Sequence, residues 1–176
     1  ELSGDCFDYR WIDEDHLIAY LIDVSGHGIE AALLAVSVHN LLRSGSLSLS
    51  TLLAPDEVLS ELNRLFQMER HDGNYLTMWF GVYEVSSRTL RYAGAGHPPA
   101  IAVDSDATST ELSSAGMPLG MFDDAVFTAR SYTTPPGCRI LLCSDGAYED
   151  ARVDGRRLNR KDFSALCTRL VGSPLD

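Results

Sequence analysis

The spacing of apolar residues changes several times along this chain, and each change marks an element. From Asp5 to Ile12 apolar and polar residues alternate loosely, as on a half-buried strand. Asp13-Glu14-Asp15 interrupts the pattern, and Leu17 to Val24 follows as an apolar, β-prone run. Two such runs across a short polar turn predict an antiparallel hairpin. From Gly28 to Arg43 the chain is apolar nearly all round (Ile29, Ala31, Ala32, Leu33, Leu34, Ala35, Val36, Val38, Leu41, Leu42), which predicts a helix buried on every side against a sheet.

A Ser/Gly/Leu loop covers 44–54. Pro55-Asp56-Glu57 then starts a second helix to Glu69, with Pro and acids where a helix N-terminus favours them. Beyond His71-Asp72-Gly73-Asn74, the runs Tyr75–Val85, Thr89–Ala93 and Ala100–Val103 read as a meander. Val126–Tyr132 and Arg139–Cys143 add strands on either side of Pro135-Pro136-Gly137. A short helical stretch follows Asp145, and Arg160–Leu170 is a last helix. No internal repeat or linker divides residues 1–176. The expectation is one α+β domain whose antiparallel sheets are covered by helices.

At 176 residues and 45% hydrophobic, the chain can bury a sizeable core. A net charge of −11 argues against a nucleic-acid surface, which needs clustered Lys and Arg. Excess carboxylate is compatible with metal binding. The four cysteines show no C-x-x-C spacing, so free thiols in a reducing, cytoplasmic compartment are expected. No apolar run approaches the length of a membrane span, and no signal-peptide pattern opens the chain.

Asp23-Val24-Ser25-Gly26-His27-Gly28 puts a carboxylate at a strand end, on a glycine turn that faces a helix N-terminus. Ser3-Gly4-Asp5, beside Cys6-Phe7-Asp8, and Ser144-Asp145-Gly146 echo it. Gly26-x-Gly28-x-x-Ala31 formally matches a dinucleotide fingerprint, but Asp23 would repel a pyrophosphate and the later strands look antiparallel. A single Asp-Gly pair is an ordinary turn. Three carboxylates at strand ends suit hard divalent cations instead. In that reading Asp23 bridges two ions about 3.5–4 Å apart. Asp5 reaches the same sheet end, Asp145 closes the site from a distant strand, and the exposed Val24 carbonyl is a further ligand. The chemistry implied is phosphoester hydrolysis by water, with no Ser or Cys nucleophile. His27 could donate a proton to the leaving group or serve as a turn residue. Asp8 reads as a strand-end acid, His97 as the brace of a turn, and Cys143 as a small buried strand residue. His16, His39 and His71 show no partner spacing.

Those motifs, with Ala31-Ala32-Leu33-Leu34, Tyr92-Ala-Gly-Ala-Gly-His97-Pro-Pro99 and Gly116-Met-Pro-Leu-Gly120 in that order, resemble the bacterial SpoIIE/RsbU-type branch of the metal-dependent (PPM, type 2C) serine/threonine protein phosphatases. The resemblance implies a four-layer α-β-β-α sandwich, two antiparallel sheets flanked by helices, with two Mn²⁺ or Mg²⁺ ions. On the family pattern Asp5, Asp23, the Val24 carbonyl and Asp145 fall on metal-binding positions; from the residues themselves, Asp23, Asp145 and His27 are the expected catalytic groups. It implies a phosphoserine substrate on an anti-anti-sigma (STAS-domain) partner in partner-switching signalling. It also implies an upstream sensor or receiver domain in the same polypeptide. A homodimer is left open.

Two departures stand out. The family's opening strand has no counterpart here. Nor has its closing strand with a further metal-binding aspartate: Asp154 and Asp162 come too early, and Asp176 has no strand after it. The domain is therefore expected to be incomplete at both ends, or else a degenerate pseudophosphatase that acts as a protein-binding module.

Overall fold

The computed structural model describes residues 4–149, 152–153, 156–157 and 159–170, so Ser3, Asp154 and Asp176 lie outside it. The predicted hairpin forms, with β1 (Cys6–Trp11) antiparallel to β2 (His16–Val24). Asp13 closes its turn by accepting from the backbone amides of Asp15 and His16, each at 2.8 Å. The chain then runs into α1 (Ile29–Arg43), the single-turn α2 (Leu49–Leu52) and α3 (Pro55–Leu65). Strands β3 (Leu76–Glu84), β4 (Thr89–Ala95), β5 (Ala100–Val103) and β6 (Ser109–Leu112) follow. After β7 (Arg130–Thr133) and β8 (Arg139–Leu141) come α4 (Gly146–Glu149), the short pair β9 (Arg152–Val153) and β10 (Arg156–Arg157), and α5 (Arg160–Leu170).

Two antiparallel sheets, ordered β1-β2-β3-β4-β7 and β6-β5-β8, stack between helices. Helices α1 and α3 cover the outer face of the larger sheet, and α5 lies against β5 of the smaller one. This is the four-layer arrangement expected. Strand alternation divides the core. Ile18, Tyr20, Ile22, Met78 and Phe80 point towards Val38, Leu42, Val58, Leu59 and Leu62 of the helices. Trp79, Leu90 and Tyr92 point the other way, towards Ala100, Ala102 and Leu112. Among the described residues no helix is long and apolar enough to cross a membrane, and all four cysteines are free thiols.

Several elements differ from their sequence pattern, each for a physical reason. Helix α1 is not buried all round. Ala31, Leu34, Ala35, Val38 and Leu42 are buried, but Ile29, Leu33 and Val36 are 67%, 61% and 48% exposed. A helix lying on one sheet can bury only the stripe that faces it. The loop over 44–54 contains α2, started by Ser48, whose Oγ accepts from the Thr51 amide at 3.1 Å.

Helix α3 stops at Leu65 instead of reaching Glu69 because a distant segment docks across its end. Asn63, nearly fully buried, donates to the Phe122 carbonyl (2.9 Å) and accepts from the Gly120 amide (2.8 Å). The Met68 amide then bonds to the Gly120 carbonyl in place of a helical partner. The expected meander is broken too: β3 and β4 pair, but β5 crosses to the other sheet. Strand β6 carries no apolar alternation that would have announced it. The strand expected at 126–132 is confined to β7, leaving Val126 in the open.

The exposed side of α1 yields a direct check. Leu34→Ala should cost about 2–5 kcal/mol, because it opens a cavity on the sheet. Leu33→Ala, one residue away, should stay within about 0.5 kcal/mol. Denaturant midpoints of the two variants measure the contrast, and equal losses would contradict the packing.

Candidate functional site

Ladder register brings the first two carboxylates together. Cys6 stands opposite Ile22 in the β1–β2 pair, and one step further along the same register Asp5 faces Asp23. Asp23 in turn faces Thr77 on β3. Cross-strand partners share a face, so Asp5, Asp23 and Thr77 all project from the side of the larger sheet that faces the smaller one. Asp8 has the opposite parity. It faces Tyr20 and the helices, where Arg43 Nη1 donates to its carboxylate at 2.7 Å. That ion pair clamps the C-terminal end of α1 to the edge strand, a structural task for the acid read as a strand-end residue.

The chain leaves β2 through a turn that only glycines make easily. Gly26 and Gly28 have φ of +88° and +92°, the left-handed region that other residues avoid. Ser25 anchors the turn to the start of β3: its amide donates to the Tyr75 carbonyl and its Oγ accepts from the Tyr75 amide, both at 2.9 Å. Gly4 lies flat on the main chain of Val24, where a side chain would come within 2.9 Å of the Val24 carbonyl oxygen. His27 is exposed at the tip of this turn.

Asp145 arrives from the smaller sheet. Strand β8 ends at Leu141, so Leu142 to Ser144 run outside any helix or strand before Asp145 opens α4. Cys143, expected inside a strand, is a half-buried member of this segment. Ser144 Oγ donates to Asp5 Oδ2 at 2.8 Å, which links the segment to the hairpin.

The electrostatics around Asp23 are those of crowded like charge. Burial first, then the negative charges of Asp5 and Asp145 and a hydrogen bond with Asp5, push Asp23 up to about 7. Asp23 therefore keeps its proton to a far higher pH than an ordinary aspartate. The three side chains do not form a single tight cage. Among the described residues, the group whose donor atoms all lie within 4.8 Å of one another is Asp15, His16 and Glu84. That group sits at the opposite end of β2, seven residues from Asp23, and belongs to the hairpin turn. Asp13 holds His16 Nδ1 at 2.9 Å, and Ser86 holds Asp15 through its amide and hydroxyl. His16 thus has a partner three residues away that its sequence spacing did not announce. His39 meets the Tyr20 hydroxyl at 3.0 Å, and His71 stacks on Phe66.

His97 is the site residue that sequence reasoning undervalued. It is only 7% exposed and stands behind the carboxylates, with Nδ1 3.0 Å from Thr77 Oγ1. Burial holds its imidazole down to about 4, against the opposing pull of the Cys143 backbone, Asp5 and Asp145. The ring is therefore neutral at physiological pH. A motif of glycines and prolines around one histidine reads as a turn, and only the crossing of β5 to the second sheet brings it to this end.

A cleft of about 620 Å³ opens beside Asp5 and Asp8. Asp5, Cys143 and Ser144 lie at one end, and Phe7, Leu21 and Leu142 form apolar walls. No Lys or Arg lines it.

Comparison with known proteins agrees with this architecture. The family described as Stage II sporulation protein E (SpoIIE) matches residues 13–176. The phosphoserine phosphatase RsbP of Bacillus subtilis is 35% identical over 153 residues, covering 85% of this chain and 37% of RsbP. The phosphoserine phosphatase RsbU of the same organism is 29% identical over 167 residues, covering 94% of this chain and 48% of RsbU. The chain thus spans less than half the length of these curated relatives. Among solved structures, the RsbU and RsbW domains of Rv1364c from Mycobacterium tuberculosis superpose with a TM-score of 0.78 at 29% identity, over 97% of this chain and 46% of that one. A match over nearly all of the sequence, on the fold that carries these motifs, makes the chain a member of the SpoIIE family.

Proposed function

We propose that this chain is the catalytic domain of a metal-dependent phosphoserine phosphatase. The observation that carries the reading is that Asp5 and Asp145 both act on Asp23, pushing it up to about 7: Asp5 from the same hairpin, Asp145 from a segment more than 120 residues on. Asp23 is half-buried, and the like charge around it is unfavourable unless a cation lies among the carboxylates. The donors are all oxygens, as Mn²⁺ and Mg²⁺ prefer. Asp5, Asp23, Asp145 and the Val24 carbonyl would hold two such ions. When bound, they supply charge neutralisation at the phosphoryl group and a lowered pKa for the attacking water.

The protein's own groups do the rest. Asp23 gives up its proton on binding the ions, and Ser144 orients the Asp5 carboxylate through its hydroxyl. The cleft walls of Phe7, Leu21 and Leu142 would offer an apolar surface beside Asp5. His27, exposed on the turn, would protonate the leaving seryl oxygen. The substrate we assign is phosphoserine on an anti-anti-sigma STAS-type protein. Supporting this are the names of RsbP and RsbU, both phosphoserine phosphatases, and the pairing of RsbU with RsbW domains in Rv1364c. An upstream sensor or receiver domain would control the activity.

Asp23→Ala should lower phosphate release from p-nitrophenyl phosphate with Mn²⁺ by at least about a hundredfold, since losing a ligand costs more than losing the partner of a ligand. The same loss is expected with a serine-phosphorylated STAS-domain protein. Undiminished turnover in that variant would refute the assignment, and full capture of the STAS protein with no turnover in wild type would favour a pseudophosphatase.

Metal and pH should be linked through Asp23. Its pKa is raised on folding, so its contribution to the stability of the metal-free protein is present in full below about pH 4 and is lost as pH rises through about 7. With chelator present, the melting temperature should fall between pH 5 and pH 8 by less in Asp23→Asn than in wild type. Calorimetry of Mn²⁺ binding at pH 6, in buffers of different ionisation enthalpy, should show a proton released that is no longer released at pH 8.5. Identical proton release at both values would exclude Asp23 as the group displaced.

A further inference from the structure

The larger sheet carries a second cluster of metal-competent side chains, at the end of β2 remote from Asp23. His16 and Glu84 stand directly opposite each other in the β2–β3 ladder, and Asp15 precedes His16 in the β1–β2 turn. One donor atom from each of the three lies within 4.8 Å of the other two. Parity puts His16 and Glu84 on the helix side of the sheet, with Ile18 and Val82 next to them on that face. A cavity of about 190 Å³ opens onto them there, lined also by Leu53, Val82, Thr89 and Arg91. Seven strand positions separate His16 from Asp23, about 23 Å.

Each of the three is oriented from outside by a partner of its own. His16 Nδ1 lies 2.9 Å from both oxygens of Asp13, which only accept, so this nitrogen carries the proton of the neutral ring and Nε2 presents a lone pair. Nε2 stands 3.8 Å from Glu84 Oε1, beyond hydrogen-bond length. Ser86 donates to Asp15 through its hydroxyl at 2.6 Å and its amide at 2.8 Å, which holds the Asp15 carboxyl below the usual carboxylate range. Ser87 Oγ donates to the other Glu84 oxygen, Oε2. With the ring neutral, Nε2 and Glu84 Oε1 are two acceptors turned towards each other, an arrangement that a cation between them makes favourable.

We propose that Asp15, His16 and Glu84 form a second divalent-cation site, of the zinc class, which staples the β1–β2 turn to the β3–β4 turn. One imidazole and two carboxylates are a three-ligand set for Zn²⁺, and water from the cavity takes the fourth position. A carboxylate behind the ligating histidine and hydrogen bonds on the ligating carboxylates are the supports that such ligands use. Ligands of a tetrahedral zinc stand about 3.3 Å apart, so the 3.8 Å gap closes with a small movement of the half-exposed Glu84 side chain. Asp13, Asp15 and Glu84 outweigh the positive charge of Arg91 in the cavity wall. The nitrogen ligand sets this site apart from the oxygen donors around Asp23, which suit Mg²⁺ and Mn²⁺. The ion fastens residues 13–16 to 84–87 and takes no part in hydrolysis, so the inference does not rest on the phosphatase reading.

To test this, Zn²⁺ is titrated into the chelator-stripped protein while NMR follows the imidazole nitrogens, with His16 identified by the resonances missing from His16→Gln. Nε2 of His16 should shift on binding while Nδ1 keeps its proton, and the same shift should appear in Asp23→Ala. Calorimetry in the Asp23→Ala background measures the affinity. Adding His16→Gln should weaken this zinc binding by at least about 100-fold, and adding Asp13→Asn by about 10- to 100-fold, the range for partners of metal ligands. Zinc should raise the melting temperature of Asp23→Ala but not of Asp23→Ala/His16→Gln, since an ion held only by the folded state stabilises it. Phosphate release with Mn²⁺ should be unchanged in His16→Gln.

A His16 ring that does not shift in excess zinc would overturn the proposal. So would a shift that survives both Glu84→Gln and Asp15→Asn, the behaviour of a lone surface imidazole. A shift that disappears in Asp23→Ala would place the zinc at the other end of the sheet and overturn it equally. If His16→Gln does not fold, Glu84→Gln carries the affinity and melting readouts, and unchanged zinc binding there sinks the site.

Discussion

Two carboxylates facing each other across an antiparallel ladder are the constraint on which the rest of this structure depends. Like charges in that position destabilise a sheet. Here the β1–β2 register leaves Asp5 no place except opposite Asp23. That register is held by the other parity of the same strands. Ile18, Tyr20 and Ile22 are buried against the helices, and a slip by one residue would turn them to the opposite face. The hydrophobic pattern on one side of β2 therefore enforces an unfavourable charge arrangement on the other.

That opposition explains why so much of the surrounding structure is rigid. Ser25 bonds twice to Tyr75, Asp8 pairs with Arg43, and the Gly94–Pro99 turn interlocks with the Gly116–Gly120 segment. None of these contacts touches a reacting group. Each limits how far the strand ends can move apart to relieve the repulsion. In the proposed metal-bound reading, the carboxylates have to be held in place before cations arrive, and these contacts would supply that hold.

The outline of the fold was legible from periodicity wherever one face of an element met one layer of the core. The hairpin, α1, the start of α3, β3 and α5 all follow from runs of two kinds, alternating and helical. Legibility failed where burial depended on a partner distant in sequence. Nothing local could show that Gly120 and Phe122 would dock on Asn63 and stop α3 at Leu65. Nor could the apolar composition of α1 show that Ile29, Leu33 and Val36 would face away from the sheet. The candidate site was proposed from three aspartates beside glycines near strand ends: Asp5 between Gly4 and β1, Asp23 at the end of β2, and Asp145 before Gly146.

By itself the sequence determined the elements, the acidic glycine turns and the family to which the chain belongs, since all three are written in short-range order. Only the tertiary structure decided which carboxylates share a face and which histidine stands behind them. Strand parity separates Asp5 from Asp8, although they lie three residues apart and look alike in sequence. The crossing of β5 to the second sheet carries His97 to Thr77 and Cys143, residues 20 and 46 positions away. Such meetings are set by how layers stack, and a one-dimensional pattern holds no record of the face to which a distant residue will turn.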